Sequence, residues 1–142
     1  MRYSHLLVSV AVSPESHYLL AKAVAIARPY QAKITVVTLG AEPEMYNQLA
    51  APMLEDIRGV LQEETQTFLN ELVAQAEYPL TRAVIATGEL SEYILDICEK
   101  QQVDLVVCGN HNQNFFSRTT CSAKKIVSST KVDVLLIPLG GL

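Results

Sequence analysis

Cysteine, proline and glycine are all scarce in this sequence, and each shortage excludes a class of protein. The 142 residues include 6 Gly and 6 Pro while 49% are apolar, which is not the composition of a disordered or fibrous chain. The three cysteines, Cys98, Cys108 and Cys121, are odd in number and far apart, which argues against a disulfide framework and a paired-cysteine zinc site. We therefore expect reduced thiols, with Cys98 and Cys108 as small core residues.

An excess of positive charge and long apolar runs are also missing. Lys and Arg number 11 against 15 Asp and Glu, and no dense basic block is present to neutralise a phosphate backbone, so nucleic acid is not an expected ligand. No apolar run approaches the ~18 residues of a membrane helix. The apolar run near the amino terminus is short and ends at Ser13-Pro14, unlike a secretory signal. We expect a cytoplasmic protein with a single domain over residues 1–142 and no membrane partner.

Five apolar segments rich in β-branched residues alternate with four segments of helical periodicity. The strands are predicted at 5–12, 33–39, 81–87, 104–109 and 133–138, and the helices at 14–28, 53–76, 90–98 and 121–129. Ser13 is expected to cap the first helix, with Pro14 in its first turn. This alternation specifies right-handed crossovers between parallel strands. The sequence therefore predicts an α/β fold, a doubly wound five-stranded parallel sheet with helices on both faces, in a Rossmann-like arrangement.

Two loops of such a sheet are candidates for a ligand site. Ligands bind beyond the carboxyl ends of strands where the strand order reverses, which selects the loops AVSPES and GNHNQN after the first and fourth strands. Phosphate recognition there needs bare main chain, for which glycine is suited. After Gly109 this chain instead offers a run of Asn, His and Gln side chains. The bend is expected to persist without a phosphate cradle.

Four segments together resemble the universal stress protein family over the whole chain: HLLVSVAVSPES, GELSEYIL, DLVVCGNH and VDVLLIP. Within that family the sequence is most similar to the bacterial A-type branch. The resemblance implies a non-enzymatic stress-response protein that acts through protein partners. It also implies a contribution to survival in growth arrest and to resistance against DNA-damaging agents.

In the nucleotide-binding branch of that family, an aspartate follows the first strand and a G-x-x-G-x(9)-G-[ST] loop follows the fourth. On this chain the aspartate position falls on Ala11, the loop glycines on Gly109, Asn112 and Ser122, and the last position on Ala123. Ala11 has no carboxylate, Asn112 crowds the phosphate path, and Ser122 adds a Cβ where a helix amino terminus would meet an oxyanion. We expect weak or absent ATP binding and no cofactor. The alternative is an ATP-binding switch with slow or no hydrolysis.

The last predicted strand raises the question of a partner. An edge strand has free N–H and C=O groups that need a cover, and the resemblance implies a homodimer in which two last strands pair antiparallel about a two-fold axis. The expected interface residues are Val132, Val134, Leu135, Leu136 and Ile137. A mixed dimer with a paralogue would use the same strand. The alternative is a monomer whose edge is shielded by its Gly-Gly-Leu tail.

Other chemical signals are weak. Ser122 to Lys125 matches S-x-x-K, but the companion motifs of that hydrolase class are missing, so no catalytic residue is predicted. The three histidines share no ligand spacing on one element, so no metal site is predicted. Two alternatives stay open: attraction of a small anion by Arg118 and Lys124 near the bend, and redox sensing by an exposed Cys121.

Overall fold

The computed structural model describes residues 3–11, 13–39, 51–86, 90–110 and 132–139. Its helices and strands, with one short 3-10 helix at Arg28–Tyr30, are β1 His5–Val10, α1 Glu15–Ala27, β2 Lys33–Leu39, α2 Ala51–Ala76, β3 Thr81–Ala86, α3 Leu90–Gln101, β4 Leu105–Asn110 and β5 Asp133–Pro138. The predicted helix over 121–129 lies outside the described residues.

The strands form one parallel sheet in the order β3-β2-β1-β4-β5. The chain proceeds outward from β1 to β3 and then returns to the other side of β1 with β4, so the strand order reverses between β1 and β4. Strand β5 pairs with β4 alone among the described strands and forms one edge. The predicted doubly wound α/β fold is confirmed.

Successive side chains of each strand point to opposite faces of the sheet and form two apolar cores, one on each face. Helices α1 and α2 cover the first core, which contains Leu6, Val8, Leu19, Val36, Leu72, Val107, Ile137 and Leu139. Helix α3 covers the second, which contains Leu7, Val37, Ile94, Ile97, Cys98, Val106 and Cys108. The prediction that Cys98 and Cys108 are core residues is confirmed. None of the helices in the described ranges combines the length and apolar character that a membrane span needs.

The start of α1 differs from the sequence expectation. Strand β1 ends at Val10 rather than at residue 12, because the carbonyl of Ala11 turns to accept the N–H of Ser13 at 2.9 Å. The side chain of Ser13 does not cap the helix; its carbonyl accepts the N–H of Ser16 at 3.2 Å. The hydroxyl of Ser16 donates to the carbonyl of Ala11. The turn is thus closed mainly through carbonyl oxygens.

Three residues between a helix and the next strand have left-handed backbone conformations without being glycine. Gln31 precedes β2 with φ 55°, Glu77 precedes β3 with φ 53°, and Gln102 precedes β4 with φ 55°. Glycine is the residue that adopts this conformation most readily at helix ends. This sequence, which is poor in glycine, makes the same turn with Gln and Glu.

Candidate functional site

The carboxyl edge of the sheet between β1 and β4 is the place where this topology can take a ligand. The two strands are paired from Leu6 with Leu105 through Ser9 with Cys108. Continued past this pair, the register brings Val10 opposite Gly109, so Ala11 and Gly109 are near neighbours at the point where the strand order reverses.

On the β1 side of this edge, the polar groups are bonded to each other. Ala11 is exposed and carries only a methyl group, and its carbonyl accepts both the N–H of Ser13 and the hydroxyl of Ser16. Ser16 is 2% exposed. The hydroxyl of Ser16 therefore already donates its hydrogen bond within the chain. Ala11 also has no carboxylate at the position where the nucleotide-binding branch of the family has an aspartate.

On the β4 side, Gly109 serves packing. It lies inside the strand, its φ is outside the left-handed region, and a Cβ built there would come within 2.2 Å of Leu139 Cδ1 and 3.1 Å of Leu139 Cγ. The same Cβ would be 3.6 Å from Leu19 Cδ2. Leu139 is 5% exposed and belongs to the first core. Gly109, the position that matches the first glycine of the phosphate loop, is thus packed against the side chain of Leu139.

Leu139 was not singled out in the sequence. A usable signal existed, because Ile137 and Leu139 continue the two-residue alternation of β5 and fall on one face of the sheet. The other loop positions and alternatives lie outside the described residues: His111, Asn112, Arg118, Cys121, Ser122, Ala123, Lys124 and Lys125. The expected crowding of the phosphate path by Asn112 and Ser122 stays a prediction.

The edge strand β5 presents apolar surface. Leu135 is 37% exposed and Leu136 43% exposed, although both are leucines in a strand. Val132 and Val134 are partly buried against the second core, and Ile137 is buried in the first. Of the five predicted interface residues, Leu135 and Leu136 thus offer the largest exposed apolar side chains at this edge.

The amino edge of the sheet carries a polar network that the sequence analysis missed. The carboxylate of Asp104 accepts the N–H and the hydroxyl of Ser4, at 2.9 and 3.0 Å, and the N–H of His5 at 3.2 Å. The hydroxyl of Tyr3 donates to Asp133 Oδ2 at 2.8 Å. This hydrogen bond is the main reason why the pKa of Tyr3 is raised. The network joins the start of β1 to the starts of β4 and β5.

His5 is a buried neutral member of the same edge. Its Nδ1 lies 3.2 Å from the carbonyl of Gln101 and its Nε2 lies 2.7 Å from Thr35 Oγ1. Because a carbonyl can only accept, Nδ1 carries the proton and the hydroxyl of Thr35 donates to Nε2. Burial lowers the pKa of His5. The described ranges hold no group of three or more His, Cys, Asp or Glu placed to bind a metal ion.

The two described cysteines are unreactive by environment. Burial raises the pKa of Cys98 to about 11 and that of Cys108 to about 12, so both are thiols rather than thiolates near neutral pH. Both are free of disulfide bonds. Neither provides a nucleophile for the candidate site.

Comparison with known proteins identifies the family. The sequence profile of the universal stress protein family matches residues 2–138, and the chain belongs to that family, as its motifs indicated. Universal stress protein C of Salmonella typhimurium is 61% identical over 141 residues, which are 99% of each chain. Universal stress protein A of Escherichia coli K12 is 39% identical over 140 residues, 98% of this chain and 96% of the relative. These relatives support a role in the stress response.

A solved structure agrees with the fold. The crystal structure of a universal stress protein in complex with cAMP superposes with a TM-score of 0.67, covering 98% of this chain and 99% of that chain. The two sequences are 18% identical, so the likeness concerns the fold alone.

Proposed function

We propose that this chain is a non-enzymatic stress-response protein of the cytoplasm that acts through protein partners. Its role would be to support survival in growth arrest and resistance to DNA-damaging agents. The observation that carries the stress-response role is the 61% identity to universal stress protein C of Salmonella typhimurium over 99% of both chains. The packing of Leu139 against Gly109 at the carboxyl edge, where this fold can bind a ligand, favours a role without bound nucleotide. The internally bonded turn at Ala11 supports the same conclusion, since it offers a ligand no carboxylate.

Nucleotide binding can be tested with the purified protein. Mass spectrometry of protein purified without added ligand is expected to show no nucleotide, and calorimetry with ATP, cAMP and Mg²⁺ is expected to show no saturable binding. A variant with Ala11→Asp, Asn112→Gly and Ser122→Gly restores three of the altered anchor positions and is expected to gain ATP affinity. Tight binding of ATP by the parent chain would contradict the proposal.

The second candidate function is a nucleotide-binding switch with slow or no hydrolysis. The observation that favours it is the cAMP complex of a protein with the same fold. It predicts that nucleotide copurifies with the parent chain and that restoring the three anchors changes the affinity little. The same calorimetric series therefore separates the two functions.

We also propose that the chain forms a homodimer through β5, and a mixed dimer with a paralogue through the same strand. A second copy related by a two-fold axis would pair antiparallel with β5 and cover Leu135 and Leu136. Native mass spectrometry is expected to give twice the mass of one chain, and Leu136→Lys to give a single chain. Val60→Lys is a matched control, because Val60 is 54% exposed on α2, and it should remain dimeric. A monomeric parent chain would overturn the proposal.

The cellular role has its own test. A strain lacking the gene is expected to survive ultraviolet irradiation less well than its parent, and the wild-type gene should restore survival. If the dimer is the active form, Leu136→Lys should fail to restore it while Val60→Lys succeeds. Equal survival of the deletion strain and its parent would remove DNA-damage resistance from the proposed function.

A further inference from the structure

A cavity of about 480 Å³ lies at the amino edge of the sheet, opposite the edge considered above. It is bordered by the first residues of β1, β2 and β3 and by the end of α3. His5 and Thr35, which are 8% and 1% exposed, are its most deeply buried polar residues. A cavity of this size is within the range that small-molecule sites occupy.

The strand register explains why two cations border this cavity. His5 is paired with Lys33 across β1 and β2, and Thr35 is paired with Arg82 across β2 and β3. Alternation along each strand puts all four side chains on the face that carries α3, together with Leu7, Val37 and Val84. Neighbouring strands are about 4.8 Å apart. Lys33, His5, Thr35 and Arg82 therefore form one contiguous patch.

The charges of this patch are not neutralised within the described part of the chain. Lys33 and Arg82 are both exposed, and neither side chain has an ion pair or hydrogen bond there. Asp104 is an acid that acts on His5, and its oxygens already accept hydrogen bonds from Ser4 and His5. In a protein of net charge −4 this is a local excess of positive charge.

The rest of the rim is apolar. Pro79 and Leu80 line the cavity beside the two cations, and Leu80 is 43% exposed. Arg binds carboxylate and phosphate groups through two parallel hydrogen bonds, and Lys adds a compact charge. An apolar wall next to such a pair suits a ligand that has an anionic head and a nonpolar body.

We propose that this cavity binds a small organic anion, with its phosphate or carboxylate group held by Lys33 and Arg82 and its apolar body against Leu80. His5 and Thr35 form the polar floor, and their hydrogen bonds to each other and to the Gln101 carbonyl fix its shape. The site is independent of the carboxyl edge. Its existence does not depend on whether that edge binds nucleotide.

His5 also reports on the ligand. Lys33 and Arg82 oppose its protonation, whereas Asp104 and the Gln101 carbonyl favour it. An anion between the two cations offsets their charge, so the pKa of His5 should rise when the site is filled. Protein NMR can follow this change through the imidazole resonances.

The experiment is an NMR titration of ¹⁵N-labelled full-length protein with four probes. Phenyl phosphate and benzoate carry both a ring and an anion, inorganic phosphate carries only the anion, and benzyl alcohol carries only the ring. Saturable shifts at the starts of β1, β2 and β3 are expected with phenyl phosphate or benzoate, and the tighter of the two identifies the head group. Inorganic phosphate should bind more weakly, and benzyl alcohol should not saturate.

Single-charge variants locate the site. Lys33→Gln and Arg82→Gln should each weaken binding by about tenfold or more, the effect of one charge-assisted hydrogen bond. Lys22→Gln removes the same charge from an exposed residue of α1 on the other face, and it should bind like the parent. The proposal is overturned if neither ring-bearing anion gives saturable shifts, or if Lys22→Gln weakens binding as much as Arg82→Gln does.

Discussion

The two edges of this sheet differ in what their side chains do. At the carboxyl edge Leu139 packs on Gly109, and the hydroxyl of Ser16 is bonded to Ala11. At the amino edge the carboxylate of Asp104 accepts several hydrogen bonds beside a cavity bordered by two cations, neither of which has an ion-pair partner among the residues that the structure describes. Doubly wound folds take ligands at the carboxyl edge. The comparison teaches that topology determines where a site can form, while side chains determine whether it does.

The largest expected effect concerns the carboxyl edge. Leu139→Ala should lower the free energy of unfolding by about 2–5 kcal/mol, because it removes a buried leucine. Gly109→Ala should lower it by about 1–3 kcal/mol, because the new methyl displaces Leu139. In the double variant the methyl enters the space that the leucine left, so the loss should be smaller than the sum. Urea unfolding of the parent, the two single variants and the double variant measures this coupling. Strict additivity of the two losses in free energy would show that Leu139 does not pack against Gly109.

The next effect concerns the amino edge and its pH dependence. His5→Gln should cost about 1–3 kcal/mol at pH 7.5, because the hydroxyl of Thr35 and the carbonyl of Gln101 lose their buried partner. The pKa of His5 is lowered from 6.5 in the folded state, so the unfolded chain binds its proton first as the pH falls. The stability that His5 contributes is therefore present above pH 6.5 and decreases below it, towards the folded pKa. Urea unfolding between pH 7.5 and 5.5 should show that the free energy of unfolding falls with decreasing pH, and that it falls less steeply in His5→Gln.

A smaller effect is expected from the turn that closes the carboxyl edge. Ser16→Ala removes the side-chain hydrogen bond to the Ala11 carbonyl, but that carbonyl keeps the N–H of Ser13. The loss should be about 1 kcal/mol. Thermal unfolding monitored by circular dichroism measures it. A loss as large as that of Leu139→Ala would mean that the turn, rather than the leucine, holds this edge together.

The smallest effect is expected from the exposed part of the amino edge. Tyr3→Phe removes the hydrogen bond to Asp133, which is accessible to water. The cost should be about 0.5 kcal/mol, at the lower end of what a hydrogen bond contributes. The same unfolding measurement applies, with His5→Gln as the comparison at the same edge. If Tyr3→Phe and His5→Gln lowered the free energy of unfolding equally, burial would not explain the strength of the hydrogen bonds at this edge.

The fold was readable from the sequence because local signals mark its elements. Strands 33–39 and 133–138 agree with the structure to the residue, since each is a short run rich in branched aliphatic residues that begins with a charged residue. The end of β1 was placed two residues too late. The apolar run continues to Val12, and hydrophobicity alone does not record where pairing with β2 ends at Val10.

The sites were less readable because they depend on contacts between distant residues. Gly109 and Leu139 meet only once β4 and β5 are packed under α1. The alternation along β5 indicates the face on which Leu139 lies, but not its contact with Gly109. The patch of Lys33 and Arg82 depends on the register of strands that long helices separate. The loss of a carboxylate at Ala11, in contrast, was visible directly, because it is a matter of residue identity.

The left-handed residues Gln31, Glu77 and Gln102 have a practical consequence. For a residue with a Cβ, the left-handed backbone conformation costs about 1–2 kcal/mol. Glycine avoids this cost but loses more conformational entropy on folding, so the net gain in stability is only a part of it. Replacing the three by glycine is therefore a route to a more heat-resistant protein. These substitutions would not change the side chains of the carboxyl edge or the amino edge, so thermal tolerance and ligand recognition can be engineered separately in this molecule.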